Sequence, residues 1–182
     1  MRIIGGTLGG RRFYPPAKGW PTRPTTDISK EALYNILEDR LDFGAVRFLD
    51  LFGGTGSHSF EMISRGCQDV TYVDNYRPCC AFVRKTASEL GIAQYLRIIP
   101  SDVFRFCKRT SESWDYIFAG PPYALKTLDT IPELIIRQEM LTAEGILVLE
   151  HNPNHDFTAL PHFTELRIYG ETHFSFFRNP GI

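Results

Sequence analysis

The chain has 182 residues, of which 43% are hydrophobic and 23% are charged, and its formal net charge is −1. This length and composition suit one globular domain that buries a sizeable core without disulfides or a metal ion. They exclude a membrane-spanning protein, because no apolar run approaches the roughly 20 residues of a span. The first residues also lack the apolar core of a signal peptide, so we expect a cytoplasmic protein.

The first 30 residues form a basic segment. They carry six basic residues against Asp27 alone, a local balance of +5 that leaves −6 for the rest of the chain. The six are Arg2, Arg11, Arg12, Lys18, Arg23 and Lys30. A net charge near zero argues against a nucleic-acid binder, whereas this concentration of charge favours an arm that binds phosphates. A basic surface that contacts only solvent is the alternative at this point.

The secondary-structure signals follow in a regular order. Short β-prone pieces lie around residues 2–4 and 11–13. A helix is predicted to begin at Thr26 or Asp27, either of which can cap it. The predicted strands that follow cover 46–52, 69–74, 95–99, 114–119 and 145–150, and the predicted helices cover 57–65, 77–90, 103–109 and 125–138. This alternation indicates right-handed βαβ crossovers and a mostly parallel sheet with helices on both faces.

The C-terminal stretch FTELRIYGETHFSFFR has a different pattern. Two β-rich runs flank Gly170 with no helix between them, which predicts an antiparallel hairpin at one edge of the sheet. The predicted fold class is therefore α/β, with a seven-stranded, mostly parallel, Rossmann-like sheet. We predict a single domain over residues 1–182, in which residues 1–40 form the basic arm and first helix and residues 41–182 form the cofactor-binding core.

A glycine-rich turn, FGGTG, follows the first strand of the core at residues 52–56. Its glycines allow backbone N–H groups to approach a ligand without a Cβ in the way. Asp74 ends the second strand about 20 residues later, where a carboxylate can accept hydrogen bonds from both hydroxyls of a ribose. Asn75 follows it at the same sheet edge. This arrangement fits NAD, FAD or S-adenosylmethionine.

Two further residues favour S-adenosylmethionine among these cofactors. A dinucleotide fingerprint has a third glycine that lets the helix face a pyrophosphate, and this chain has Ser59 at that position. Asp50 precedes Phe52 by two residues, where it is poorly placed beside phosphates and well placed beside the ammonium group of the methionine part. The predicted cofactor site consists of Asp50, Phe52, Gly53, Gly54, Thr55, Gly56, Asp74, Asn75, Asp102 and Val103.

Asp102 and Val103 follow the third strand of the core. The carboxylate can accept a hydrogen bond from an adenine amino group while Val103 offers its backbone N–H to the ring. An isolated Asp before a helix is also a typical N-cap, and the two roles are compatible.

The fourth strand of the core ends in a stiff loop, in the stretch WDYIFAGPPYAL at residues 114–125. Pro121 and Pro122 supply no N–H and therefore end the strand. Tyr123 stands at the tip of the loop, which is typical of a binding loop. Gly120, directly before the prolines, has no side chain to offer a ligand.

These strand ends, in this order, resemble those of class I S-adenosylmethionine-dependent methyltransferases that modify exocyclic amino groups of bases. The segments RIIGG, GRR, RPTTDISKEALYNIL and DLFGGTGSHSFEMISRG are similar to the bacterial 16S ribosomal RNA guanine-N2 methyltransferases of the RsmD family, and the likeness covers nearly the whole chain. RPTTD is specific to that group, whereas the glycine turn is not.

The resemblance implies that six of the predicted cofactor residues surround S-adenosylmethionine, namely Asp50, Phe52, Gly54, Gly56, Asp74 and Asp102. It also implies that Arg23, Thr25 and Thr26, together with the arm that carries Arg11 and Arg12, face the RNA and the open side of the cofactor. The expected partner is 16S rRNA within the small ribosomal subunit or its assembly intermediate, and we expect the protein to act as a monomer without a metal ion.

The resemblance further implies that Pro121, Pro122 and Tyr123 clamp the target guanine, with Tyr123 stacking on the base after it leaves its stack. The family has Asp before the two prolines, and this chain has Gly120, so only main-chain carbonyls would accept from the amino group there. Two alternatives follow. One is a non-catalytic RNA-binding or assembly protein that has lost turnover through Gly120, and the other is a DNA or small-molecule amino methyltransferase.

Overall fold

A seven-stranded sheet organises the chain in the computed structural model, which describes residues 1–16 and 18–179. Its strands are β1 (Arg47–Leu51), β2 (Asp69–Asp74), β3 (Leu96–Pro100), β4 (Trp114–Ala119), β5 (Leu141–His151), β6 (Phe163–Tyr169) and β7 (Thr172–Arg178). The helices are α1 (Asp27–Glu38), α2 (Ser57–Ser64), α3 (Arg77–Glu89), α4 (Val103–Arg109) and α5 (Ile131–Arg137). Among the described residues, no helix is long and apolar enough to cross a membrane.

The strands are arranged in the order β3-β2-β1-β4-β5-β7-β6. The first five are parallel, and β7 inserts between β5 and β6 and pairs antiparallel with both. This confirms the predicted seven-stranded α/β fold class and its C-terminal hairpin. The strand order reverses between β1 and β4, and in open parallel sheets the ligand crevice lies at the carboxyl ends of the strands at such a reversal.

Apolar side chains alternate along the strands and form one core layer on each face of the sheet. On the first face, Phe48 and Tyr116 stack with ring centroids 4.8 Å apart and pack under α1, α2 and α3. On the second face, Leu49 and Ile117 pack under α4 and α5. Residues 50, 118 and 150 therefore share the face that α1 and α2 cover, because they keep the same alternation as Phe48 and Tyr116.

The N-terminal arm is docked on the core by its first 13 residues. The two β-prone pieces pair with each other, with a bridge between Arg2 and Arg12 and a hydrogen bond from the Ile3 N–H to the Arg11 carbonyl at 2.9 Å. Ile3 and Phe13 are buried in the first core layer. The exposed arginines of the arm are therefore carried on a fixed platform.

The glycine pair in RIIGG allows the arm to touch the end of α2. Gly6 has a φ of +76°, and a Cβ on it would lie 1.9 Å from the Ser64 carbonyl oxygen. The next residue, Thr7, donates its N–H to that same oxygen at 2.8 Å. Any side chain at position 6 would push the arm away from the helix.

A buried carboxylate joins the arm to the first two helices. Glu61 of α2 is fully buried and accepts hydrogen bonds from the N–H groups of Ile4 and Gly5, each at 2.9 Å. Its oxygens also pair with Lys30 Nζ of α1 at 3.4 Å and with Arg65 Nε at 2.9 Å. A buried charge is tolerated only when it is paired and hydrogen-bonded in this way.

Two elements differ by more than one residue from their predicted bounds. The helix predicted over 125–138 begins only at Ile131, after a 3₁₀ turn at Leu128–Thr130, because Pro132 lacks an N–H and fits the first turn of a helix. Strand β5 begins at Leu141 rather than 145. Its pairing with β4 shifts register beyond Trp114, and Glu144 adopts a φ of +64° at this irregularity.

The Glu61 cluster predicts a large loss of stability when its charge is removed. Glu61→Gln keeps the size of the side chain but leaves Lys30, Arg65 or a main-chain N–H without an acceptor, so the free energy of unfolding should fall by about 3–5 kcal/mol. Glu38 pairs with the same Arg65 at 3.1 Å but is 59% exposed, and Glu38→Gln should cost at most about 1 kcal/mol. Urea denaturation compares the two, and equal losses would contradict the assignment.

Candidate active site

A cleft of about 560 Å³ opens at the carboxyl ends of the parallel strands. The segment 20–25, which leads into α1, forms its opposite wall. The predicted site residues that line the cleft are Arg23, Thr25, Asp50, Phe52, Gly53, Gly54, Thr55, Asp74, Asn75, Asp102, Val103, Gly120, Pro121, Pro122 and Tyr123. The fold thus brings 15 of the residues predicted from the sequence, which belong to five separate segments, into one cavity.

Gly56 and Thr26 do not line the cleft, and both have structural roles. Gly56 caps α2 with a φ of +81°, and a Cβ there would lie 3.0 Å from Val83 and 3.1 Å from Phe60. Thr26 caps α1 by accepting a hydrogen bond from the Ser29 N–H at 3.2 Å. Packing and capping account for these two residues, and their predicted contact with a ligand stays a prediction.

Arg11 and Arg12 also lie outside the cleft. Both side chains are exposed on the docked arm. They contribute no group to the cavity wall, so their predicted contact with RNA would extend the binding surface beyond the cleft.

Asp74 fixes the shape of the glycine turn. Its Oδ2 accepts a hydrogen bond from the Gly54 N–H at 2.9 Å, and its Oδ1 accepts one from the Tyr76 N–H at 2.8 Å. A Cβ on Gly53 would lie 2.3 Å from the Tyr72 ring, which accounts for glycine at that position. Burial raises the pKa of Asp74. Each oxygen keeps a second acceptor position for a ligand hydroxyl.

Asp50 is a buried carboxylate that faces the cleft. It is 1% exposed, and its Oδ2 accepts a hydrogen bond from the Ser59 hydroxyl at 2.7 Å. Burial raises its pKa to about 7, and Asp74 adds repulsion. Among the described residues no basic side chain forms an ion pair with it. A cationic group of a ligand would therefore stabilise its charged form.

Ser59 stands where a dinucleotide-binding loop has its third glycine, and the structure gives this serine a physical role. Its hydroxyl orients Asp50, so the residue that departs from the dinucleotide fingerprint supports the carboxylate that suits an ammonium group. After β3, Asp102 caps α4 by accepting a hydrogen bond from the Arg105 N–H at 2.9 Å, and Val103 is buried.

The space beside Gly120 is taken by an aromatic ring. A Cβ on Gly120 would lie 2.9 Å from Cε1 of Phe118. The Phe118 ring stacks on the His58 ring with centroids 3.7 Å apart, so it cannot move without disturbing its neighbour. The absence of a side chain at 120 is therefore matched to the packing around it.

Tyr123 is held from three sides. Its hydroxyl donates to Glu150 Oε1 at 2.7 Å, and its carbonyl lies 3.2 Å from His155 Nε2. The Arg23 guanidinium carbon lies 4.6 Å from the centre of its ring. Burial and the nearby carboxylate raise the pKa of Tyr123. The ring is thus presented in a fixed orientation.

Glu150 is a functional candidate that the sequence analysis missed. It is 4% exposed at the end of β5, lines the cleft, and accepts hydrogen bonds from the hydroxyls of Thr25 and Tyr123. Burial raises its pKa. The rule that drew attention to Asp74, a carboxylate at the carboxyl end of a parallel strand, applies equally to Glu150 and would have found it.

His58 is a second missed residue, and its sequence signal is weak. Its Nε2 lies 2.9 Å from the Thr25 hydroxyl and its Nδ1 lies 3.2 Å from the Tyr34 hydroxyl. Burial, with a contribution from Lys30, lowers its pKa well below the ordinary value. His58 is therefore a neutral ring that positions Thr25 and supports Phe118.

Known proteins are similar to this chain over most of its length. The family described as conserved hypothetical protein 95 matches residues 1–178. A Bacillus subtilis protein named "Putative rRNA methyltransferase YlbH" is 32% identical over 155 residues, covering 84% of this chain and 83% of its own. The "Ribosomal RNA small subunit methyltransferase D" of Buchnera aphidicola is 26% identical, covering 82% of this chain and 75% of its own.

The fold of this chain is also similar to that of a solved methyltransferase structure. The 16S rRNA N2 G1207 methyltransferase RsmC of Thermus thermophilus, in complex with AdoMet and guanosine, superimposes with a TM-score of 0.71 at 19% identity. The match covers 98% of this chain and 49% of that chain.

The raised pKa of Asp50 predicts that S-adenosylmethionine affinity depends on pH. An ammonium group favours the ionised carboxylate, so below pH of about 7 binding must first remove a proton from Asp50. Affinity should fall roughly 5- to 10-fold between about pH 7.5 and about pH 6 in calorimetry. The Asp50→Asn variant should bind more weakly with no such dependence. 5′-Methylthioadenosine, which lacks the ammonium group, should also bind the parent independently of pH, and a parallel fall would implicate Asp74 instead.

Proposed function

Because this chain belongs to the conserved hypothetical protein 95 family, the RsmD-type rRNA methyltransferases, we propose that it methylates the exocyclic N2 of a guanine in 16S rRNA. The proposed substrate is the small ribosomal subunit or its assembly intermediate, and a single chain acts on it in the cytoplasm. The observation that carries the proposal is the meeting of the Asp50 and Asp74 carboxylates with the Gly-Pro-Pro-Tyr loop in one cleft.

The cofactor end of the cleft suits S-adenosylmethionine. We expect Asp50, which Ser59 orients, to pair with the ammonium group, and we expect the remaining acceptor positions of Asp74 to bind the ribose hydroxyls. Val103 and Asp102 line the same cleft, and we expect them to contact the adenine. The bound cofactor supplies a methyl group that its sulfonium has already activated for attack by a nitrogen lone pair.

The base end of the cleft lies between the Gly120–Tyr123 loop and residues 23–25. The prolines make the loop rigid, and the Tyr123 ring offers a stacking surface for a base that has left its helix. The amino nitrogen of guanine is a weak nucleophile because its lone pair is delocalised into the ring. Catalysis then depends on holding that nitrogen in line with the methyl group and on accepting its hydrogens.

The basic arm gives the protein a surface for RNA outside the cleft. Arg11 and Arg12 project from a docked platform, and Arg23 lies at the cleft mouth beside Tyr123. Phosphate contacts from such residues position a nucleic acid, while contacts in the cleft select the base. This division suits a substrate much larger than the cavity.

The direct test is methyl transfer to small subunits from a strain that lacks this protein. With tritiated S-adenosylmethionine, we expect label in N2-methylguanosine of 16S rRNA after nucleoside analysis. Asp74→Ala should weaken cofactor binding by roughly 1–3 kcal/mol through lost hydrogen bonds, whereas Asp69→Ala, at the exposed start of the same strand, should not.

Other outcomes of this test would replace the proposal. Label in N6-methyladenine, in DNA or in a small molecule would indicate a different amino methyltransferase. Intact cofactor binding without transfer to any subunit or RNA would indicate a non-catalytic binding or assembly protein.

The arm predicts a specific change in salt dependence. Changing Arg11 and Arg12 together to Gln should weaken RNA binding and reduce the slope of log affinity against log salt by about 1 for each lost phosphate contact. Cofactor affinity should not change. Lys108 and Arg109, an exposed basic pair at the end of α4, provide a control with the same change in charge. An equal effect of both double variants would show that only net charge matters.

A further inference from the structure

The loop that faces the target base lacks a side-chain acceptor, but the neighbouring strand supplies a carboxylate. In the parallel pairing of β4 with β5, Ala119 lies opposite Leu149. The next residues in the same row are Gly120 and Glu150. Side chains in one row of a parallel pair point to the same face of the sheet, so Glu150 projects on the side where a residue at 120 would project.

Glu150 is held firmly and keeps part of its acceptor capacity. Within the described part of the chain its hydrogen-bond donors are the Thr25 hydroxyl on Oε2 and the Tyr123 hydroxyl on Oε1. An ionised carboxylate has about four acceptor positions, two on each oxygen. One position on each oxygen therefore remains, on a buried group that lines the cleft.

Burial raises the pKa of Glu150, and three neighbouring groups partly offset that effect and fix the direction of the carboxylate. The Arg23 guanidinium contributes a favourable charge, and both hydroxyl partners stabilise the carboxylate. Thr25 is in turn positioned by His58, and the Tyr123 carbonyl lies beside His155. A buried carboxylate with this support is an orienting group for donors that arrive with a ligand.

We propose that Glu150 recognises the target guanine by accepting hydrogen bonds from its N1–H and from its 2-amino group. Guanine presents these two donors side by side, one for each oxygen of the carboxylate. Adenine presents an acceptor at N1 beside its 6-amino group and would leave one oxygen facing a lone pair. This inference rests on the proposed function and names the residue that selects the base.

The competing explanation is that Glu150 only supports Tyr123 and Thr25. Both explanations predict slower methylation when the carboxylate is lost, so the rate on guanine alone does not separate them. They differ for 2-aminopurine, which keeps the 2-amino group of guanine but has an acceptor in place of N1–H. A carboxylate disfavours that base, whereas a glutamine side chain offers one acceptor and one donor and matches it.

The experiment measures single-turnover methylation of small subunits whose target guanine is kept or replaced by 2-aminopurine. The parent should methylate guanine at least about 10-fold faster than 2-aminopurine, because a mismatched buried group typically costs 10- to 100-fold. Glu150→Gln should slow the reaction on guanine by a similar factor and reverse the preference. Cofactor affinity should be unchanged, and Glu144→Gln, an exposed carboxylate on the same strand, should behave as the parent.

Each outcome decides the point. Equal rates of the parent on the two bases would overturn the inference without any variant, even if Glu150→Gln failed to fold. Equal losses on both bases in Glu150→Gln, including complete loss, would assign Glu150 to supporting Tyr123. A parent that methylates no guanine would instead refute the proposed function, which separates the two failures.

Discussion

The structure depends on one buried carboxylate, that of Glu61. It binds the main chain of the arm, the ammonium of Lys30 in α1 and the guanidinium of Arg65. The segment between the arm and α1 is thereby tied at both ends. Trp20 in the middle of that segment packs against Tyr76 and Phe82 with ring centroids 6.0 and 5.5 Å apart. Residues 20–25, which form one wall of the cleft and contain little regular structure, are therefore positioned by the Glu61 charge cluster that lies outside the cleft.

The cleft uses two buried carboxylates that share one face of the sheet. Asp50 on β1 and Glu150 on β5 are both under 5% exposed, and burial raises the pKa of each. Within residues 1–16 and 18–179, Asp50 has a hydroxyl donor and no ion-pair partner, whereas Glu150 has two hydroxyl donors and Arg23 nearby. Carboxylates in such different surroundings can serve different ligand groups within one cavity.

The sequence predicted the sheet and most of the cleft because both follow from periodicity and strand ends. Alternating strands and helices determine a parallel sheet, and parallel strands bring their carboxyl ends together, so Asp74 and Gly120 could be placed without coordinates. The late start of α5 was missed although Pro132 is a sequence signal for the first turn of a helix. The early start of β5 could not be predicted, because it depends on a local irregularity at Glu144.

Tertiary contacts decide the role of His58, which the sequence therefore did not reveal, whereas Glu150 was missed although the strand-end rule applies to it. His58 follows a glycine turn in an otherwise ordinary helix start, and only packing brings it to Thr25 and Phe118. Gly56 and Thr26 belong to predicted motifs, yet each serves the start of a helix. The occupied space beside Gly120 has a further consequence for how this cleft can diverge. Since Phe118 fills the volume of a side chain at 120 and rests on His58, the three positions are epistatic, and the cost of an exchange at any one of them depends on which residues already stand at the other two.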